Sequence, residues 1–99
     1  MIKLYPIGTV VRVGVGEDLF MIISRYPLTI INGVKGYFHY SACTYPIGVE
    51  IDDDPSVFNH EDITEVLFEG YINPLEEKLQ AYYQRKSADI KYPKLNINE

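Results

Sequence analysis

Apolar and β-branched residues fill the first two-thirds of the chain in runs of strand length, separated by short groups of turn residues. Residues 9–13 (TVVRV) are largely β-branched and residues 19–25 (LFMIISR) form a continuous apolar run. Gly14, Gly16, Glu17 and Asp18 lie between them, so the two runs predict a hairpin. A second hairpin is marked by Thr29-Ile30-Ile31, the pair Asn32-Gly33 and residues 34–41, because Asn-Gly readily takes the positive φ angles of a type I′ turn. Residues 59–63 predict a single helical turn, with Asn59 as its cap and Glu61 and Asp62 near the positive end of its dipole. A strand over residues 64–71 should follow.

The pattern then changes to that of a helix. Asn73 is placed to cap it, Pro74 takes the first helical position, and Glu76 stands three residues after the cap in a capping-box pattern. Leu75, Leu79, Tyr82 and Tyr83 recur at i, i+4, i+7 and i+8, which gathers them on one face expected to pack on the sheet. Helical periodicity is lost beyond Lys86, and Pro93 blocks any continuation. Ile90, Tyr92, Leu95 and Ile97 make the tail apolar, and two placements fit it equally: along the domain, or as a strand added to another protein.

These elements predict an α+β fold, a strongly bent antiparallel β-sheet or small open barrel packed against one C-terminal helix. Residues 1–72 form a β-rich core with one short helical turn near 59–63, residues 73–87 an amphipathic helix of the same domain, and residues 88–99 an extended tail. The segment Tyr5-Pro6-Ile7-Gly8 recurs as Tyr45-Pro46-Ile47-Gly48. The sequences flanking the two copies agree only in being strand-like, so a reused turn accounts for them better than an internal duplication. Tyr26-Pro27 and Tyr92-Pro93 are further Tyr-Pro pairs, suited to strand entries and edges because proline fixes φ and lacks a donor.

Composition narrows what such a domain does. Ninety-nine residues support one hydrophobic core. A net charge of −5, with nine basic residues scattered among fourteen acidic ones, argues against nucleic acid, whose phosphates require clustered lysine and arginine. The acidic residues collect in Glu50 and Asp52-Asp53-Asp54, in Glu61, Asp62, Glu65 and Glu69, and in Glu76-Glu77, which suits a basic protein surface. One cysteine makes no internal disulfide, and no charged segment followed by an apolar stretch opens the chain, which predicts a cytoplasmic protein. No run approaches the ~20 apolar residues that span a bilayer. Nine tyrosines against four phenylalanines favour half-buried positions and interfaces, since the ring is apolar and its tip polar. Tyr37, Tyr40, Tyr45, His60, Tyr82, Tyr83 and Tyr92 are the candidate partner-binding residues.

Catalytic and metal-binding readings find little support. The cysteine and both histidines fall in two aromatic blocks, residues 37–43 (YFHYSAC) and 58–63 (FNHEDI). On one strand His39 and Cys43 share a face but stand roughly 13 Å apart at ~3.3 Å per residue, too far to pass a proton. Two separated histidines and one cysteine do not make a zinc site, and Asp52-Asp53-Asp54-Pro55 lacks the alternating ligands and central glycine of a calcium loop. Gly14-Val15-Gly16 has Leu19 where a dinucleotide fingerprint needs its third glycine. No catalytic residue, metal or cofactor is therefore expected.

In Leu4-Tyr5-Pro6-Ile7-Gly8-Thr9-Val10-Val11, Met21-Ile22-Ile23, Gly36-Tyr37-Phe38-His39-Tyr40-Ser41-Ala42, Tyr45-Pro46-Ile47-Gly48, Phe58-Asn59-His60-Glu61-Asp62-Ile63 and Val66-Leu67-Phe68-Glu69-Gly70-Tyr71, the chain resembles the small Gram-positive proteins grouped as domain of unknown function 4176. The resemblance runs over about the first seventy residues. It departs at His39, where an acidic residue is expected. It implies an accessory protein encoded beside toxins that bear an LXG domain and leave the cell by type VII secretion. The expected role is a non-enzymatic adaptor or chaperone for such a toxin. The alternatives are an immunity protein covering a toxin's active domain and, further off, a thiol-dependent enzyme at Cys43.

Overall fold

Residues 19–25 can be apolar on both alternating sets because the strand they form sits inside a sheet. The protein, described here as a computed structural model covering residues 2–97, places Leu19–Arg25 (β2) at the centre of a five-stranded antiparallel sheet. Its partners are Val10–Val13 (β1), Tyr40–Tyr45 (β5), Ser56–Phe58 (β6) and Ile63–Phe68 (β7), in the order β6-β5-β2-β1-β7. Leu28–Ile31 (β3) and Val34–Tyr37 (β4) form a separate two-stranded ribbon. Neither sheet closes, and the helix Pro74–Lys86 (α1) follows them, so the fold is α+β.

Both predicted hairpins are present. β1 and β2 pair with Val10 opposite Met21 and Arg12 opposite Leu19. β3 and β4 pair around Asn32 and Gly33, whose φ angles of 53° and 80° are those the turn demands. The expected continuous strand over residues 34–41 is instead divided, ending at Tyr37 and resuming at Tyr40. Phe38, His39 and Tyr40 are all buried in succession, which strict strand alternation does not allow on a strand with one inner face. The break carries the chain from the ribbon into the main sheet, held by the Tyr26 N–H to His39 carbonyl bond (3.0 Å) and the Phe38 N–H to Pro27 carbonyl bond (3.2 Å).

Rows of paired residues define two faces of the main sheet. Val11, Phe20, Ile22, Ala42, Tyr40 and Phe58 point inward with Leu4, and Tyr5, Val13, Ile63 and Tyr83 pack around them. Both copies of Tyr-Pro-Ile-Gly are turns that end on a glycine of positive φ, Gly8 at 91° and Gly48 at 86°, but their bonding differs: the Gly8 N–H donates to the Ile22 carbonyl and the Gly48 N–H to the Thr44 carbonyl. Gly70 allows a close crossing: a methyl group there would overlap the Ile7 carbonyl, and its N–H donates to Thr9 Oγ1 at 3.0 Å.

Helix α1 packs by a different face from the one its periodicity predicts. The Asn73 cap is as expected, its side chain accepting from the Glu76 N–H at 2.9 Å. Of the four apolar residues only Tyr83 turns to the core, while Leu75 is 73 % exposed and Leu79 and Tyr82 are also exposed. The residue α1 buries is Gln80, which brackets Leu4 by accepting from its N–H and donating to its carbonyl. Arg25, with only 3 % of its side chain accessible, takes both carboxylate oxygens of Glu76 at 2.6 and 2.9 Å. A buried guanidinium at the end of β2 thus requires the polar face of α1 to turn inward, and the leucine stripe is carried outward.

Residues 88–97 of the tail lie along the domain, the first of the two expected placements; residues 98 and 99 lie outside the described residues. Tyr37 bridges Lys94 in parallel, donating its N–H to the Pro93 carbonyl and accepting from the Leu95 N–H at 2.9 and 2.8 Å. Leu95 is buried against Gly36, where any Cβ would come within 2.6 Å of the leucine.

Candidate partner-binding surface

The outer face of the main sheet is largely apolar and partly open: Val10 and Cys43 are buried in it, whereas Tyr45, Leu67 and Phe68 are exposed. The rows Phe68–Val10–Met21–Cys43 and Glu65–Arg12–Leu19–Tyr45 run across it on the side opposite the core. Val10, Leu19, Met21, Tyr45, Leu67 and Phe68, with Gly8, line an open groove of about 490 Å³ there. Register shifts in the β1–β7 pairing explain how consecutive residues Leu67 and Phe68 both reach this groove: Val10 opposes Phe68 while the next residue, Val11, opposes Val66, so Leu67 is an extra, bulged residue. Phe68 remains 63 % exposed and Tyr45 49 %.

Acidic residues lie at several borders of this face. Glu17 and Asp18 precede Leu19 in the β1–β2 turn, Glu65 stands in the outer row opposite Arg12, and Glu50, Asp53 and Asp54 border a depression that includes Cys43; Glu69 turns to the other side, toward α1. Arg12, the basic residue of these rows, is ion-paired to Glu65. Arg25, at the end of β2, is buried against Glu76, and the other basic residues belong to other elements: Lys3 to the N-terminal segment, Lys35 to β4, Lys78, Arg85 and Lys86 to α1, Lys91 and Lys94 to the tail.

The candidate residues taken from the sequence are dispersed by the fold. Tyr45 lies on the outer face. Tyr82 is exposed on α1, and Tyr92, also exposed, lies by the Lys35 ammonium at 5.0 Å from its ring. Tyr37 is half-buried beside Tyr26, and Tyr83 packs edge-on against Tyr26 at 5.0 Å with Arg25 over its ring. Tyr40 is fully buried and offers nothing to a partner, because its ring completes the core under Phe58. His60 is half-buried and stacks on Tyr5 at 5.0 Å. Leu19, Met21, Leu67 and Phe68 were not among the candidates, which rested on tyrosines. The signal for Leu19 and Met21 was the unbroken apolar run of residues 19–23, which leaves a strand apolar on both sides.

The aromatic blocks that hold both histidines form a structural junction. The Tyr40 hydroxyl accepts from the Tyr5 N–H at 2.9 Å, which directs its own proton to His60 Nδ1 at 2.7 Å. His39 Nδ1 accepts from the His60 N–H at 2.9 Å, so the His39 ring is neutral with its proton on Nε2. Asn59 Oδ1 accepts from the His39 N–H at 3.0 Å, and Asn59 Nδ2 donates to the Leu95 carbonyl at 2.7 Å. Lys94 closes the junction through Glu61. Burial raises the Tyr40 hydroxyl pKa above its ordinary range, the Tyr5 N–H only partly offsetting this. Among the described residues, no group of three His, Cys, Asp or Glu converges as a metal site would.

Acid should loosen this junction. Burial lowers the pKa of His39, aided by Lys94 and His60 and opposed by Glu61 and Asp62; burial also lowers that of His60, opposed by Glu61. Because the unfolded chain then binds protons more readily, stability is complete above the ordinary imidazole value of 6.5 and is lost as pH falls below it, until the lowered values are passed. The urea midpoint is expected to drop between pH 7.5 and 5.5, where carboxylates remain ionised, and the imidazole resonances to titrate below 6.5. A midpoint constant over that interval would contradict this.

No helix of the described residues is long and apolar enough to cross a membrane. No curated protein and no solved structure matches the chain. The family described as Domain of unknown function (DUF4176) matches residues 4–79, from the first core residue of the N-terminal segment to the middle of α1. That span contains every strand of both sheets, the outer face and both histidines, and by it the chain belongs to the DUF4176 family.

Proposed function

We propose that this protein is a non-enzymatic cytoplasmic adaptor or chaperone that binds an LXG-type toxin and holds it for type VII secretion. The observation that carries the binding function is the open apolar groove on the outer face of the main sheet, with Phe68 63 % exposed at its edge. Exposed apolar area bounded by charge is the usual mark of an interaction surface, since its removal from water supplies the driving force for association. The titratable groups around the histidines support the same reading, because their hydrogen bonds are spent on joining the tail, the loop before β7 and the N-terminal segment. The toxin as partner rests on the family resemblance.

Co-expression with the LXG toxin encoded beside this gene tests the proposal. The expected result is a complex that survives gel filtration at micromolar concentration. A toxin that elutes alone would contradict it. An immunity role would instead show in contact with the toxic domain of the partner and not with its export region.

A further inference from the structure

We infer that the outer sheet face receives an amphipathic helix of the partner, one whose apolar stripe is flanked by lysine or arginine. The inference rests on the binding function proposed above and names the chemistry of its occupant. A sheet buries an apolar face most readily under a helix, and here α1 covers none of it: its buried residue Gln80 bonds the N-terminal segment, on the core side. The groove of about 490 Å³ between Leu19, Met21 and Tyr45 on one side and Leu67 and Phe68 on the other runs over an unobstructed surface.

Charge selects the flanks of that helix. Glu17 and Asp18 stand in the turn that leads into Leu19, Glu50, Asp53 and Asp54 line the depression that includes Cys43, and Arg12 is neutralised by Glu65. An acidic helix would meet repulsion at both of these places, whereas lysines beside the apolar stripe would find carboxylates there. Strand addition to the free edge of β7 is the competing geometry. The register shifts of β7 count against it, because Thr64 and Leu67 interrupt the regular row of outward N–H and carbonyl groups that an added strand requires.

The test uses three fluorescein-labelled peptides of ~18 residues and measures anisotropy with the full-length protein. The first is built of leucine and lysine with leucines at i, i+3, i+4 and i+7. The second replaces its lysines with glutamate, and the third has leucine and lysine in strict alternation. The first is expected to bind at micromolar concentration, and the others about tenfold or more weakly. Phe68→Asp should weaken the first peptide about tenfold, although it adds a negative charge, because it removes an apolar anchor. Tyr82→Ser, on the exposed side of α1, should leave binding unchanged. Circular dichroism of both variants should match the parent, as both positions are exposed.

Equal binding by Phe68→Asp and parent protein would overturn the inference, as would preference for the alternating peptide, which would mean strand addition. Self-association of the parent over the same concentrations, abolished by Phe68→Asp, would also overturn it by identifying the occupant as a second copy. The two proposals fail separately. A toxin that co-purifies undiminished with Phe68→Asp sinks the surface and leaves the function standing; a toxin that never co-purifies with the parent protein sinks the function.

Discussion

Replacing Glu76 by leucine is expected to destabilise the protein by about 3–5 kcal/mol, although the new side chain suits a helix and lies beside other apolar groups. Glu76 takes both guanidinium nitrogens of Arg25, and a third bond comes from Gln80 Nε2 at 2.8 Å. Burial is the largest single influence and works against the charge on Arg25, but the hydrogen bond and charge attraction of Glu76, with smaller contributions from Tyr83 and Tyr40, together outweigh it and the pKa moves up. Glu76 moves down, chiefly through the same bond to Arg25. Without the carboxylate the guanidinium remains in the interior, 3 % accessible, with the Tyr83 ring as its main electrostatic partner. The double replacement Arg25→Met with Glu76→Leu should recover most of the loss, since a buried ion pair and a well-packed apolar pair are often of similar stability. Urea unfolding of the two single variants and the double variant measures the coupling. Additive losses would show that the pair is not a unit. The pH dependence follows in sign: a lowered Glu76 contributes stability that is present above its ordinary 4.5 and lost as pH falls through the lowered value.

Asn59→Leu should cost several kcal/mol, because each of two buried groups is left unpaired at about 1–3 kcal/mol. Those groups are the His39 N–H and the Leu95 carbonyl, which the Asn59 side chain satisfies simultaneously while itself fully buried. The loss should be unequal along the chain. The tail depends on Asn59, on the two backbone bonds to Tyr37 and on the Lys94–Glu61 pair, so it should detach before the sheet melts. Asn59→Asp separates the roles: it keeps an acceptor for His39 and presents a second carboxylate oxygen to the Leu95 carbonyl, so it should free the tail at a smaller global cost. Hydrogen exchange at the Leu95 amide, with urea unfolding alongside, reads both effects. A Leu95 amide that exchanges no faster in either variant would show that the tail is held without Asn59.

These two residues also mark where sequence patterns stop being informative. The hairpins were legible because their signals are local: Asn32-Gly33 dictates its own turn, and residues 10–13 and 19–25 are strand-forming wherever they fall. The cap of α1 was legible for the same reason. Which face of α1 packs was not, because periodicity weighs leucine against glutamate without knowing that Arg25 lies beneath. One buried cation on a neighbouring strand reverses the preference, and Leu75 and Leu79 are left outside. The division of residues 34–41 was hidden likewise, since it arises from where Pro27 and Tyr26 stand and not from the residues that divide.

The proposed binding surface was half legible. Tyrosine content pointed to an interface, yet of the tyrosines chosen only Tyr45 reaches the sheet's outer face, while Tyr40 is inside. Phe68 and Leu67 come together through a bulge, a feature of pairing register that neither residue announces. The unbroken apolar run at residues 19–23 did contain part of the information: a strand with two apolar faces needs two covers, and the described residues leave the second face partly open.

Hydrogen–deuterium exchange on the complex with the LXG toxin tests that account most directly. Protection on binding is predicted to concentrate in β7 and in the β1–β2 hairpin, around Leu19, Met21, Leu67 and Phe68, with the exposed Leu75–Leu79–Tyr82 stripe unchanged. Protection confined to α1 or to the tail, with the outer sheet face exchanging as in the free protein, would contradict it.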